Sequence, residues 1–245
     1  MTRERQDVEA RADLTAALRW ASRLGFGEGV CNHFSMEIPG EPGRFLINPQ
    51  GLHWSEVTAG DLVVVDAQGR KVSGRHSVEP TAFFIHGCIH RGKASARCIL
   101  HTHMPYATAL TVIEGGRLEW ASQNSLKFYG RIAYDDDYNG LALDDAEGNR
   151  MCAQLAGADI IFLANHGVIV TGPTMAAAFD DLYYLERACM LQVLAMGTGR
   201  KLRTVPEPIA AKTGKQMAQE SAQAELHFAA LKRLLDRDDK NWRDR

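Results

Sequence analysis

The chain has 245 residues, of which 45% are hydrophobic and 24% charged, and its formal net charge at pH 7 is −2. This charge balance argues against nucleic acid or an anionic membrane as a partner, because both attract strongly basic surfaces. The charged N-terminus, the absence of an apolar run near the ~20 residues of a membrane span, and five cysteines without a Cys-x-x-Cys pair argue against secretion, membrane insertion and a disulfide framework. We expect a cytoplasmic protein that folds as a single domain over residues 1–245.

The first half of the chain mixes helical and strand patterns. Apolar residues at helical spacing predict a helix over residues 7–24, and a glycine-rich turn follows it at 25–29. Alternating apolar and polar residues begin after this turn and predict β-structure. The elements predicted next are strands at 44–48 and 62–66, a hairpin turn at 66–69, a helix at 80–92, a strand at 97–103 and a helix at 105–114.

The second half begins with a predicted edge strand at 130–134. The acidic stretch at 135–140 lacks the spacing of an EF-hand and is predicted to be a solvated loop. Two apolar runs near 160–170 predict a pair of strands, and Pro173 and Thr174 predict the start of a long helix that ends near Gly197. After a proline-rich break, a C-terminal helix is predicted at about 213–236.

Three histidines form a candidate metal site. His101 and His103 end an apolar strand pattern, and side chains two residues apart on a strand project from the same face. His166 lies between the two apolar runs near 160–170. Glu79 comes just before the helix predicted at 80–92. Three imidazoles and one carboxylate suit a divalent zinc, manganese or iron ion, and the ligand set alone does not choose among them.

The spacing also leaves other interpretations open. A histidine at the end of a strand is often an ordinary hydrogen-bonded residue. His86 and His90 stand four residues apart on a predicted helix and could also bind metal, although we favour an ordinary helix face for them. His33, His53 and His76 could also reach the site, although we favour a surface location for each.

Five short motifs occur in order along the chain: Asn32-His33-Phe34-Ser35, Asn48-Pro49-Gln50-Gly51-Leu52, Ser77-Val78-Glu79-Pro80, His101-Thr102-His103 and Asn165-His166-Gly167. Together they resemble the class II aldolase/adducin family over about residues 8–200. The resemblance implies the fold of fuculose-phosphate aldolase, an α/β protein in which helices sandwich a central mixed, mostly antiparallel sheet in three layers. It also implies a ring-shaped homotetramer with active sites at the subunit boundaries.

The resemblance further implies roles for individual residues. His101, His103 and His166 fall on the family's metal-binding histidines, and Glu79 falls on the residue that serves as catalytic acid/base and sometimes as a fourth ligand. This implies one divalent metal per chain, with zinc as the first choice and manganese or iron as the others. Asn32, Gly51 and Ser77 fall at substrate-binding positions, although residues of these types also have local roles in turns.

Three differences from the family pattern bear on the substrate. Cys31, Gln50 and Val78 replace residues that bind phosphate in the family's sugar-phosphate aldolases. The family's catalytic tyrosine aligns near Gln123, and Tyr129 lies close enough to act instead. We therefore expect a small-molecule substrate that is a non-phosphorylated oxo acid, hydroxy acid or aromatic carboxylate.

The function predicted from these residues is a metal-dependent carbon–carbon lyase, either a retro-aldolase or a decarboxylase, because a metal stabilises the carbanion that both reactions form. A mononuclear iron oxygenase on the same fold is one alternative. An adducin-like, non-catalytic interaction module is another. The presence of all three histidines and Glu79 favours an enzyme, because a scaffold has no need for an acid beside a metal.

Overall fold

Eight strands form one sheet in this computed structural model, which describes residues 2–141, 145–155 and 157–244. The strands are β1 His33–Glu37, β2 Arg44–Ile47, β3 Val63–Asp66, β4 Lys71–Ser73, β5 Cys98–Thr102, β6 Ile132–Asp135, β7 Ile160–Leu163 and β8 Gly167–Gly172. Their order across the sheet is β4-β3-β2-β1-β5-β8-β7-β6. All neighbours are antiparallel except β6 and β7, so the prediction of a mixed, mostly antiparallel sheet is confirmed.

The helices cover both faces of this sheet. They are α1 Arg3–Arg23, α2 Pro80–Gly92, α3 Pro105–Thr111, α4 Gln123–Leu126, α5 Asp145–Gln154, α6 Met175–Met196, α7 Glu207–Ala218 and α8 Ser221–Asp238. Within the described residues, none of these helices combines the length and the apolar character that crossing a bilayer would require.

Strand β5 shows how the layers are built. Successive side chains of a strand point to opposite faces, so Ile99 and Leu100 join different hydrophobic clusters. Leu100 packs in a large cluster with buried residues of α1, α6 and α8, whereas Ile99 packs with Ile85 of α2 and Met151 of α5. The sheet therefore lies between two helical layers, as predicted for a three-layer sandwich.

The structure corrects several predicted boundaries. The first helix begins at Arg3, because the Thr2 hydroxyl accepts a hydrogen bond from the backbone N–H of Arg5 and caps the helix. The predicted single C-terminal helix at 213–236 is wrong, since α7 and α8 divide this region. Helix α7 starts within the proline-rich break, because a proline in the first helical turn loses no hydrogen bond. The predicted edge strand is confirmed as β6.

The prediction of a solvated loop at 135–140 is wrong for its first residue. Asp135 ends β6, is buried, and forms an ion pair with Arg150 of α5. The same guanidinium contacts Glu147 at 2.6 Å. A buried carboxylate needs such a partner, because leaving it uncompensated away from water is costly. The pairing links the edge of the sheet to α5, a helix that the sequence did not predict.

Candidate metal centre

The three predicted histidines reach one place from two neighbouring strands. His101 lies near the end of β5, and His103 follows this strand by one residue. His166 lies in the tight turn between β7 and β8, and β8 pairs with β5. Asn165 makes this turn possible, because its φ of 56° lies in the left-handed region that asparagine tolerates.

The side chains of these residues form a compact cluster. One ring nitrogen from each of His101, His103 and His166 lies within 4.8 Å of the other two. The ring centroids are 5.1 Å apart for His101 and His103, 4.8 Å for His101 and His166, and 4.9 Å for His103 and His166. Three nitrogens at this separation could surround a single ion.

Hydrogen bonds orient two of the rings toward that ion position. The Nδ1 of His101 lies 3.0 Å from the carbonyl oxygen of Val168, which can only accept, so Nδ1 carries the proton and Nε2 has a free lone pair. The Nδ1 of His103 contacts the Glu28 carboxylate at 2.5 Å in the same way. The Nε2 of His103 is buried and has no hydrogen-bond partner among the described residues. An unpaired buried acceptor next to two other imidazoles fits a metal ligand.

The protonation states also suit metal binding. Burial lowers the pKa of His101 well below its usual value of 6.5, and the neighbouring His166 lowers it further. Burial also lowers the pKa of His166 to about 4, with an additional effect from His103. Neutral imidazole is the form that binds a metal, so these rings need no deprotonation near neutral pH.

A cavity of about 660 Å³ opens in front of the cluster. Glu79 lines it from the N-terminal end of α2, where its carboxylate accepts a hydrogen bond from the Thr81 hydroxyl at 2.6 Å. Glu79 lies outside the group of ligand atoms that share the 4.8 Å separation. The described lining residues include two carboxylates, Glu79 and Glu28, and no lysine or arginine.

The predicted substrate-binding residues do not all reach this cavity. Asn32 lines it and is buried, and its side-chain oxygen accepts a long hydrogen bond from the backbone N–H of His103, at 3.4 Å. Gly51 and Ser77 lie outside the cavity lining, in two segments joined by a hydrogen bond from Gln50 N–H to the Ser77 carbonyl at 2.9 Å. Their roles in substrate binding stay predictions.

Tyr129, predicted as a catalytic residue, does not line the cavity of its own subunit. It follows α4, and its hydroxyl lies 3.0 Å from a carboxylate oxygen of Glu207. Its aromatic ring packs against Trp120. The catalytic role of Tyr129 has no support from its position in this chain and stays a prediction.

The structure also shows residues that the sequence analysis missed or misplaced. The prediction of a surface location is wrong for His33, which is buried and lines the cavity. His53 is exposed, as predicted, and half-buried His76 contacts Asp61 at 3.0 Å. Glu28 was not considered as a site residue, although it lies in a glycine-rich turn just before the first of the family motifs.

Comparison with known proteins agrees with this architecture. The family model described as "Class II Aldolase and Adducin N-terminal domain" matches residues 12–193. The chain belongs to the class II aldolase/adducin family. A crystal structure of an aldolase II superfamily protein from Pseudomonas syringae is 34% identical, with a TM-score of 0.91 over 98% of this chain and 96% of that chain.

Two further relatives carry names that indicate chemistry. The L-fuculose 1-phosphate aldolase from Glaciozyma antarctica is 28% identical, with a TM-score of 0.87 over 99% of this chain and 95% of that chain. The decarboxylase NovR of Streptomyces niveus is 32% identical over 223 residues, which are 89% of this chain and 82% of NovR. Proteins similar to this chain thus include a named aldolase and a named decarboxylase.

We expect Glu28→Gln to weaken metal binding. The amide presents no negative charge to the Nδ1–H of His103, so the ring loses basicity and orientation. Replacing such an outer partner of a metal ligand typically reduces metal affinity by about 10–100-fold. Titration of the zinc-loaded protein with a competing chelator measures this effect, and exposed Glu114 provides the matched Glu114→Gln control. Equal zinc affinity in both variants would show that Glu28 does not support His103.

Proposed function

We propose that this protein is a divalent-metal-dependent carbon–carbon lyase, a retro-aldolase or decarboxylase, and that its substrate is a non-phosphorylated oxo acid, hydroxy acid or aromatic carboxylate. The observation that carries the proposal is the convergence of three histidine rings beside a carboxylate in one cavity. We propose His101, His103 and His166 as the metal ligands, with zinc as the first choice and manganese or iron as the others.

The residues of the site divide the work in a chemically reasonable way. A divalent metal held by the three imidazoles would supply a Lewis acid, which stabilises negative charge on substrate oxygens when a carbon–carbon bond beside a carbonyl breaks. Glu79 accepts a proton from the substrate as a general base, or donates one to it as a general acid. The Thr81 hydroxyl bonds to the Glu79 carboxylate and keeps it at the rim of the cavity.

The charges in the cavity support the choice of a non-phosphorylated substrate. Phosphate groups are bound through arginine, lysine or a set of backbone N–H groups. The described lining residues provide no lysine or arginine, so a phosphate dianion would find no side-chain cation in this cavity. A single carboxylate carries less negative charge, and a metal held by the three histidines would supply the positive charge that balances it.

We propose that the active assembly is a homotetramer with the cavity near a subunit boundary. Gly51 and Ser77 are exposed and lie outside the cavity lining, and so does Tyr129, whose hydroxyl contacts Glu207. A neighbouring subunit that completes the site would bring such residues to the substrate. We also propose one domain over residues 1–245 and a cytoplasmic location.

Glu79→Gln is the variant that tests the proton-transfer role. We expect kcat to fall by about 10²–10⁴-fold, the usual contribution of a positioned acid or base. Zinc content should stay near that of the wild type, because the histidines remain. Turnover is measured by detecting aldehyde or carbon dioxide released from a panel of oxo acids, hydroxy acids and aromatic acids, with Glu114→Gln as the control.

The same panel separates the alternatives. Oxygen consumption by an iron-loaded protein would favour the oxygenase. No turnover with zinc, manganese or iron on any acid would contradict the lyase proposal and favour an adducin-like interaction module. Turnover at the wild-type rate in Glu79→Gln would contradict the role proposed for Glu79 but not the lyase proposal itself.

A further inference from the structure

A chain of hydrogen-bonded side chains runs from α2 to the cavity. His90 Nε2 lies 2.7 Å from Ser35 Oγ, and Ser35 Oγ lies 2.5 Å from His86 Nδ1. His86 Nε2 in turn lies 2.7 Å from Nδ1 of His33, which lines the cavity. Three of its four members, Ser35, His86 and His33, are almost fully buried. Polar groups this deep in a protein are kept only when they are paired, so the chain has a defined hydrogen-bond pattern.

The pattern begins at a group that can only accept. The carbonyl oxygen of Ala96 lies 2.9 Å from His90 Nδ1, so this nitrogen must carry a proton. Burial lowers the pKa of His90 to about 3, which makes the ring neutral and leaves a lone pair on Nε2. The Ser35 hydroxyl therefore donates its single proton to His90.

The remaining positions follow step by step. Because the Ser35 proton is used, the Ser35 oxygen must accept a hydrogen bond from Nδ1 of His86. A neutral His86 then has a lone pair on Nε2, and this atom accepts from Nδ1 of His33. No carboxylate takes part in the chain, so nothing in it compensates a charged imidazolium. His33 consequently carries its proton on Nδ1 and a lone pair on Nε2.

His33 holds this lone pair beside the candidate metal centre. His33 of β1 is the direct cross-strand partner of His101 of β5, and the two ring centroids are 4.9 Å apart with a 32° tilt. The contact with His86 uses Nδ1 of His33, which leaves Nε2 as the other ring nitrogen of a residue that lines the cavity. The cavity therefore contains a hydrogen-bond acceptor that is separate from the three proposed ligands.

We propose that His33 positions the substrate by accepting a hydrogen bond from a substrate hydroxyl through Nε2. Ser35 and His90 act as positioning residues that impose this polarity through His86. The inference rests on the proposed function and narrows its substrate class to acids that carry a hydroxyl group able to donate to His33. A site built to bind a hydroxyl discriminates against an analogue that lacks the proton, because a buried acceptor is then left unpaired.

The tautomer of His33 can be measured directly in zinc-loaded wild-type protein. Two-bond ¹H–¹⁵N correlation spectra of protein labelled with ¹⁵N-histidine distinguish a protonated ring nitrogen from one with a lone pair, and His33→Gln identifies the signals. We expect a proton on Nδ1 and a lone pair on Nε2 in His33. A proton on Nε2 would overturn the proposal, and this result needs no Ser35 variant.

Ser35→Ala tests the origin of the polarity. Without the serine oxygen, Nδ1 of His86 loses its acceptor, so His86 is expected to carry its proton on Nε2 and donate to His33. His33 should then change tautomer and donate from Nε2. Ser55→Ala is the matched control, since Ser55 also contacts a histidine, His53, but at the exposed surface. An unchanged His33 tautomer in folded Ser35→Ala would overturn the role of Ser35.

Binding of two small probes gives the functional readout. Calorimetric titration should show that zinc-loaded wild type binds lactate about tenfold more tightly than pyruvate. This ratio of affinities corresponds to the net free energy of one hydrogen bond. Ser35→Ala should lose or reverse this preference, and Ser55→Ala should keep it. No preference in wild type would overturn the substrate role of His33. Zinc content is measured on the same samples to separate the two proposals. If the protein binds no zinc but His33 has the expected tautomer, only the metal-dependent function is contradicted.

Discussion

The double variant His101→Ala/His103→Ala is expected to lose its bound metal and all metal-dependent activity. Only His166 of the proposed ligand set remains, and a single imidazole does not hold a divalent ion against water. Metal affinity should fall by more than about 100-fold, which is the upper end of the effect of replacing a residue that only hydrogen-bonds to a metal ligand. Mass spectrometry of the purified protein should find about one metal ion per wild-type chain and almost none in the double variant.

Thermal unfolding with and without zinc gives a second measurement that is independent of turnover. A ligand present at 1,000 times its dissociation constant stabilises the folded state by about 4 kcal/mol, so zinc should raise the melting temperature of wild type by several degrees. The double variant should show no such increase. His53→Ala/His76→Ala removes the same number of histidines outside the cavity and should respond as wild type does. A zinc-dependent increase that persists in the ligand variant would contradict the proposed site.

The metal cluster was predictable because most of its information is local. The alternation of a strand places His101 and His103 on one face, and this period survives in almost any sheet. His166 was proposed as the third imidazole because it lies between two apolar runs, and the family resemblance supported that choice; residues this far apart in sequence meet only through the pairing of β5 with β8. The prediction thus combined one local rule with a pattern of motifs.

The buried histidine chain was not predictable in the same way. The spacing of His86 and His90 correctly indicated a shared helix face. Nothing in the sequence, however, indicated that this face lies against Ser35 and His33 of β1. Contacts between layers depend on how a helix docks on a sheet, and no periodicity encodes that. The sequence therefore favoured a surface location for His33, and only the packing of α2 on the sheet shows that it is buried.

Helix α5 escaped prediction because two adjacent residues in its middle are poor helix formers. It contains Gly148 and Asn149, which both lower helix propensity. The glycine has a packing reason instead, since a Cβ atom at position 148 would collide with the backbone carbonyl oxygen of Phe84 in α2. Tertiary contact with α2 thus overrides the local preference, and this contact could not be seen in the sequence.

Gly167→Ala is expected to damage both stability and metal binding. Gly167 is the first residue of β8, and the left-handed conformation in the turn before it belongs to Asn165. A glycine is needed at position 167 because there is no room for a side chain. A Cβ atom at this position would lie 2.5 Å from the carbonyl oxygen of Thr102 and 2.7 Å from the His103 ring.

Neither neighbour of Gly167 can move without consequence. The carbonyl of Thr102 belongs to β5, so its displacement strains the pairing of β5 with β8, and overpacking of this kind typically costs about 1–3 kcal/mol. Movement of the His103 ring breaks its alignment with Glu28 and the other two histidines. Urea unfolding should therefore show a lower free energy of unfolding, and chelator competition a zinc affinity lowered by at least about tenfold.

A second glycine provides the control for Gly167→Ala. Gly157 has open space around its Cβ position, with no left-handed φ recorded there, so Gly157→Ala should leave the free energy of unfolding and zinc affinity near wild type. If Gly167→Ala is destabilised but binds zinc normally, then the His103 ring does not contribute to the ion position as its geometry indicates. If it matches wild type in both measurements, the close approach of β8 to the end of β5 is wrong. The two losses should occur together, because one added methyl group presses on the sheet and on a metal ligand at once.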